Sequence, residues 1–297
     1  MEAYNEKIYF HLPGMFEQII IYAPLLELYH RKRELFKDNV EIGSVYGAPG
    51  CIWNGGRFLF SSLMLDRESL RKYRNNMNYY KIPIRFTFTN CLLEEKHLYD
   101  TYCNLLLEEF ANGNNEIICN SELLETYIRN KYADRYRYIS STTKRLNNKE
   151  EQNKELDKDY YLVVLDYDHN KDFDYLQTLD VSKVELLCNP VCQSNCPRRM
   201  EHYKNISECQ LNFSPDKLFY CPHAGKTLEE AKQGKNFITP EEINSCYIPM
   251  GFRHFKLEGR VSPEEDVINI LMYYLIKDDK VEEVKHFLIE EMKQGLH

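Results

Sequence analysis

Residues 160–189 read YYLVVLDYDHNKDFDYLQTLDVSKVELLCN, and this stretch decides the fold. Tyr160 to Leu165 is a short apolar run rich in strand formers, Phe173 to Leu179 has the spacing of a helix, and Lys183 to Leu187 is an apolar run again. A strand, a helix and a second strand in about thirty residues make a βαβ unit, whose two strands lie parallel. Outward from it the same alternation recurs. Lys7 to Leu12, Val40 to Val45, Ile82 to Phe88, Glu116 to Cys119, Arg135 to Ile139 and His254 to Leu257 bring the runs to eight. Helical segments fall between them at Phe16 to Lys37, Asp66 to Tyr80, Glu94 to Ala111, Ser121 to Lys131 and Asn148 to Leu156, with Pro263 to Lys277 and Val281 to Lys293 after the last.

Eight such units predict an α/β fold of the (β/α)8 TIM-barrel type, which typically takes about 250 residues. An open doubly wound sheet is the alternative, but it rarely needs eight regular units. No linker or internal repeat divides the 297 residues, so 1–297 reads as one barrel domain with a long cysteine-bearing excursion between strands seven and eight. The segment Asn147 to Asp159 is almost wholly charged or amide and reads as a solvated outer helix or loop rather than a binding tail.

Composition narrows the function classes. With 43% hydrophobic and 28% charged residues, 12 Gly and 11 Pro, the chain is globular rather than collagen-like or disordered. A net charge of −8 gives no sign of a broad nucleic-acid surface, though it leaves a local basic pocket open. The longest apolar stretch, Ile19 to Leu28, is interrupted by Tyr22, Pro24 and Glu27, so no membrane span is expected. Met1 to Lys7 lacks the layout of a secretory signal, which predicts a cytoplasmic protein. In that compartment ten cysteines point to metal or redox chemistry wherever they cluster.

In a barrel the loops after the strands converge on the axis, so the charged residues there are the candidates for chemistry. Lys256, Glu258 and Arg260 follow one another at alternate positions of the last strand and should share a face. They read either as a structural ion pair or as groups that meet a substrate. Asp166, at the end of strand six, is a candidate general acid or base, as are Lys144 and Glu258; Arg57, behind Gly55-Gly56, joins Lys256 and Arg260 as a candidate substrate contact.

The densest signal is Cys188-Asn-Pro-Val-Cys192-Gln-Ser-Asn-Cys196-Pro197, directly after strand seven. Three thiols in nine residues of a turn predict a metal centre, and the Cys-Pro ending favours an iron–sulfur cluster over zinc, whose ribbons use paired Cys-x2-Cys knuckles. A 4Fe-4S cluster takes four thiolates. Cys221, beside Pro222, is the preferred fourth ligand; Cys209 and Cys246 stay open, and His223 is a substitute ligand. Cys91, Cys103 and Cys119 follow the scaffold's apolar pattern and read as small core residues. Radical chemistry with S-adenosylmethionine places its Cys-x3-Cys-x2-Cys near the first strand, unlike this triple.

The closing segments Phe237-Ile238-Thr239-Pro240-Glu241-Glu242-Ile243 and Gly251-Phe252-Arg253-His254-Phe255-Lys256-Leu257-Glu258-Gly259-Arg260, with a cysteine-bearing region before them, resemble the collagenase-like peptidase (U32) superfamily. That resemblance covers the last third of the chain and implies a TIM barrel, often with an iron–sulfur cluster. The compact triple Cys188, Cys192, Cys196 departs from the family's usual cysteine spacing. Members are associated with hydroxylation of RNA or quinones as well as with proteolysis, so the likeness implies no single reaction. The leading expectation is an iron–sulfur enzyme that modifies a substrate at the carboxyl face, by redox chemistry such as hydroxylation, served by an electron donor. A binding module with a structural or relay cluster, which docks on a partner enzyme, is the first alternative. A peptidase is the second, although no Ser–His–Asp arrangement or His-Glu-x-x-His motif is present.

Overall fold

The computed structural model describes residues 6–222 and 227–295. Eight parallel strands close into a barrel in chain order. They are β1 (Ile8–Pro13), β2 (Val40–Gly47), β3 (Ile84–Phe88), β4 (Glu116–Cys119), β5 (Arg137–Ser140), β6 (Leu162–Val164), β7 (Val184–Leu187) and β8 (His254–Lys256). Tyr9 pairs with His254 and Phe10 with Phe255, which joins the first strand to the last. Between and after the strands run α1 (Ile19–Arg31), α2 (Arg67–Tyr79), α3 (Thr101–Phe110), α4 (Glu122–Tyr132), α5 (Lys149–Leu156), α6 (Phe173–Leu176), α7 (Arg199–Asn212), α8 (Leu228–Lys232), α9 (Pro240–Glu242), α10 (Glu264–Leu275) and α11 (Val281–Gly295). The expected barrel and its alternation are therefore present.

Strand residues alternate between two environments. Outward-facing Phe10, Leu12, Ile84, Phe86, Ile117, Val184, Leu186 and Phe255 join the helices in the main hydrophobic core. Inward-facing Ile118, Ile139, Leu162 and Val164 form a small apolar cluster of their own. The rest of the barrel interior is polar, with charged groups at its centre. Arg85 on β3 donates to Glu116 on β4 at 2.6 Å and to Glu185 on β7 at 2.5 Å. His11 on β1 lies 3.4 Å from Glu185, 2.8 Å from Ser44 and 3.1 Å from His254. Two carboxylates thus face two cations, Arg85 and Lys256, on the axis. Burial pushes Glu185 up, yet Arg85, His11 and Lys256 outweigh it and hold this carboxyl far below the usual range. Burial lowers His254 to about 4 and His11 well below 6.5, so both imidazoles are neutral at pH 7.

Three expectations need correction. The helix anticipated over Glu94 to Ala111 breaks at Asp100, whose carboxylate caps α3 by accepting from the Cys103 amide at 2.8 Å. The charged segment around α5 is not wholly solvated, because Gln152, Glu155 and Leu156 are buried against the barrel. Burial pushes Glu155 up, but hydrogen bonds from Lys144, Lys158 and Ser140 prevail and hold it at about 2. Helix α7 lies in the excursion between β7 and β8, where no helix was expected.

Candidate active site

Lys256 ends β8 at the carboxyl mouth of the barrel, with its Nζ 3.6 Å from Glu185 and 3.9 Å from the centre of the Tyr46 ring. Only 7% of the residue is exposed. Burial, reinforced by Arg85 and Arg260 and opposed by Glu185, lowers its amine to about 7. A lysine in that condition gives and takes a proton at neutral pH. Tyr46 donates its hydroxyl to the Leu257 carbonyl at 2.5 Å, which fixes the ring beneath the amine.

Beside Lys256, Glu258 pairs with Arg57 and also accepts from the Val191 amide at 3.1 Å. Asn189 clamps the Glu258 backbone from both sides, at 2.7 and 2.9 Å. Arg57 is 26% exposed at its side chain and Glu258 17%, so this pair borders solvent. Arg260 is more enclosed. It donates to Glu17 at 2.9 Å, Asn54 at 2.9 Å and the Gly55 carbonyl at 3.3 Å. The glycines before Arg57 serve the chain itself rather than a ligand, since a Cβ on Gly55 would stand 2.4 Å from the Thr89 backbone.

Of the candidate acid–base residues, Asp166 and Lys144 do not join this group. Asp166 is 1% exposed, pairs with Arg145 and Arg199, and accepts from the Asp168 amide at 3.0 Å. With its oxygens taken, it braces the loop after β6. Lys144 points outward to Glu155 at 2.5 Å and the Tyr160 hydroxyl at 3.0 Å, away from the mouth. Reasoning from the sequence missed Asp168. Its carboxylate takes Arg145 at 2.6 Å, Arg199 at 3.1 and 3.2 Å, Asn236 at 2.9 Å and the Asn195 amide at 3.0 Å.

The four cysteines expected to hold a cluster do not converge. Cys188 continues the outward parity of Val184 and Leu186, so its buried thiol sits in the helix–strand core, 3.8 Å from the Leu186 carbonyl. Burial pushes that thiol well up. Cys192 instead lies beside the Tyr167 hydroxyl and Arg199, while Cys196 and Cys221 lie near Arg198. The turn 189–198 is held by Glu258, Asp168 and Arg199, which donates to the Gln193 carbonyl at 2.7 Å. Among the described residues no three His, Cys, Asp or Glu side chains gather closely enough in this arrangement to hold a metal. Cys209 is buried on α7 and Cys246 contacts Ser245 at 3.5 Å, so neither makes up the set; His223 lies outside the described residues.

Helix α7 lies across the mouth. Its Arg199 is tied to the end of β6 through Asp166 and Asp168, while Ser207 meets Asn90 and Cys91 after β3 and Gln210 meets Asn54 and Leu59 after β2. Those strand ends stand on opposite sides of the ring. Fourteen residues make a helix about 21 Å long, enough to reach from rim to rim.

Fold and site together define a (β/α)8 barrel whose polar carboxyl mouth is roofed by an inserted helix. No protein-family model matches the chain. An uncharacterized protease of Methanocaldococcus jannaschii is 29% identical over 126 residues, 40% of this chain and 37% of that protein. The chain therefore matches well under half the length of this curated relative. Among solved structures, the U32 peptidase Mk0906 has a TM-score of 0.53 at 8% identity, covering 89% of this chain and 97% of that one. The spore cortex-lytic enzyme SleL of Bacillus cereus has a TM-score of 0.38 at 11% identity, covering 91% of this chain and 75% of that one, too distant to carry an argument. The sequence relative matches part of the chain, and the structural neighbour shares its barrel fold. No helix among the described residues is long and apolar enough to cross a membrane.

Proposed function

We propose that the chain is a hydrolase of peptide bonds, working at the carboxyl mouth of the barrel with Lys256 as its proton-transfer group. The observation that carries this reading is the amine of Lys256, buried beneath the mouth and poised at about 7. The neutral amine takes a proton from water as the water oxygen bonds to the substrate carbonyl carbon. The carbon–nitrogen bond then breaks, and the same proton passes from Lys256 to the departing amine. In this reading Arg57, at the solvent edge, receives the carbonyl oxygen as it gains negative charge, and its partner Glu258 positions it. The names of the relative and of the structural neighbour support the peptidase class. No step is assigned to an iron–sulfur centre, because Cys188 is turned away from Cys192, Cys196 and Cys221. The relay-module reading needs the same four ligands and gains no separate support.

The test is mass-spectrometric mapping of cleavages in a mixture of unstructured peptides. Wild-type protein should cleave with a rate that rises through about pH 7 as Lys256 deprotonates, and Lys256→Met should abolish cleavage. No cleavage by the wild type, or unchanged cleavage by Lys256→Met, would refute the reading.

A further inference from the structure

The roof over the mouth is fastened unequally at its two ends. At the β6 end, Arg199 is 2% exposed and grips Asp168 with two charge-assisted bonds of 3.1 and 3.2 Å, besides its contact with Asp166 at 3.5 Å. At the β2–β3 end every contact is neutral. Gln210 accepts from the Leu59 amide at 2.8 Å and from Asn54 at 3.1 Å, and donates to the Leu59 carbonyl at 3.0 Å. Asn90 donates to the Ser207 carbonyl at 3.0 Å, and the Cys91 amide donates to the Ser207 hydroxyl at 3.2 Å. Charge-assisted bonds are roughly twice as strong as neutral ones, so the Gln210 end is the weaker fastening.

The chain around the helix suits a one-ended motion. Asn195 before α7 and Phe213 after it both adopt left-handed backbone conformations, with φ of 52° and 48°, which bend the chain sharply at each end. The returning segment is tied to the helix rather than to the barrel. Asn205 donates to the Lys217 carbonyl at 3.0 Å and accepts from the Phe219 amide at 2.7 Å, so this segment would travel with the roof. The buried face of α7 mixes the polar Arg199, Ser207 and Gln210 with Tyr203, Ile206 and Cys209. Its polar half is tolerable in water as well as against the rim, so the apolar cost of lifting the far end is confined to few side chains, Ile206 and Cys209 beside Tyr203.

We infer that α7 is a hinged roof, pivoting on Arg199 and lifting at its Gln210 end to admit substrate to Lys256. An opening hinged on one side admits an extended polypeptide segment and turns away a folded domain, so the roof selects unfolded chain. The selectivity for polypeptide rests on the hydrolase reading above; the motion does not.

The test uses the intact protein and two readouts that need no substrate. Cyanate adds to the neutral Lys256 amine to give a carbamoyl-lysine, and its rate, followed by peptide mass mapping, reports access to the mouth. Hydrogen exchange along α7 reports where the helix lifts. Gln210→Ala removes all three of the Gln210 hydrogen bonds and should raise the carbamoylation rate of Lys256 on the order of a hundredfold, roughly fivefold for each bond lost. Exchange should accelerate most at 207–212 and fade toward Tyr203, with β3 to β5 unchanged as the control for folding. Ser207→Ala, which removes only the hydroxyl, should act in the same direction and less. Uniform acceleration along α7, or a Lys256 rate that Gln210→Ala leaves unchanged, would overturn the hinge. Should Lys256→Met retain peptide hydrolysis, the catalytic reading falls while the exchange and cyanate results still decide the roof.

Discussion

Replacing Glu185 with Gln keeps the shape of the side chain and removes one charge from the centre of the barrel. Glu185 is fully buried, takes the Arg85 guanidinium at 2.5 Å and stands 3.6 Å from the Lys256 amine. Deleting one partner of a buried ion pair costs about 3–5 kcal/mol, because the other charge stays buried. Arg85 keeps Glu116, so the lower end applies, about 3 kcal/mol. At roughly 2–4 °C per kcal/mol for chains of this order, the melting temperature should fall by about 6–12 °C. Glu116→Gln should cost less. Burial raises Glu116 despite Arg85, so its charge is the less strongly favoured of the two. The sign of the pH dependence follows from the depressed carboxyl. The stabilisation from Glu185 is present above the unfolded carboxyl range and is lost only as pH falls through its far lower folded value. The gap between wild type and Glu185→Gln should therefore hold across neutral pH and close only in strong acid. Thermal and urea unfolding measure it. A Glu185→Gln variant within about 1 kcal/mol of wild type, or a larger loss for Glu116→Gln, would refute a charged, dry centre.

Lys256 carries a second pH signature. Between its folded value of about 7 and its unfolded value of 10.5, the unfolded chain holds a proton that the folded chain lacks. Stability relative to Lys256→Met should then rise with pH across that window, by at most about 1.4 kcal/mol per unit, and a flat difference would count against the lowered amine. Cys188→Ser should lower stability by about 1–3 kcal/mol through a poorly matched buried hydroxyl. It should leave the iron content of anaerobically prepared protein unchanged; loss of bound iron would return Cys188 to the ligand set. Gly55→Ala should cost about 1–3 kcal/mol and displace Arg57, because its Cβ would press on the Thr89 backbone, and a crystal structure with an unmoved Arg57 would contradict this.

The barrel was legible because each strand carries an outward apolar set and each helix a periodic face, so the alternation reaches the surface of the sequence. Its interior was not. Arg85 and Glu185 each interrupt an apolar run by a single residue, and nothing local says that they meet across 100 positions. The usable signal was a lone charge at alternate positions of strands three, four, seven and eight. Helix α7 escaped for a related reason. Its buried face is made of Arg199, Tyr203, Ser207 and Gln210 as well as Ile206 and Cys209, so apolar periodicity is faint there. For the cysteine triple, spacing along a turn does not fix the direction of each thiol. Cys188 still obeys the strand's parity, whereas Cys192 and Cys196 lie beyond it. Lys256 and Glu258 were found because that parity carries both to the mouth.

The attachment of Gln210 to Leu59 joins residues 151 positions apart, across a ring that β8 has yet to close when α7 leaves the ribosome. Contacts of such long sequence separation form late, after the intervening chain has paid its loop-closure entropy. Docking of the roof and closure of the ring, which pairs Tyr9 with the still more distant His254, are therefore both late steps. A nascent chain stalled before residue 254 would present an incomplete ring, with the carboxylate of Glu185 facing a gap where Lys256 belongs.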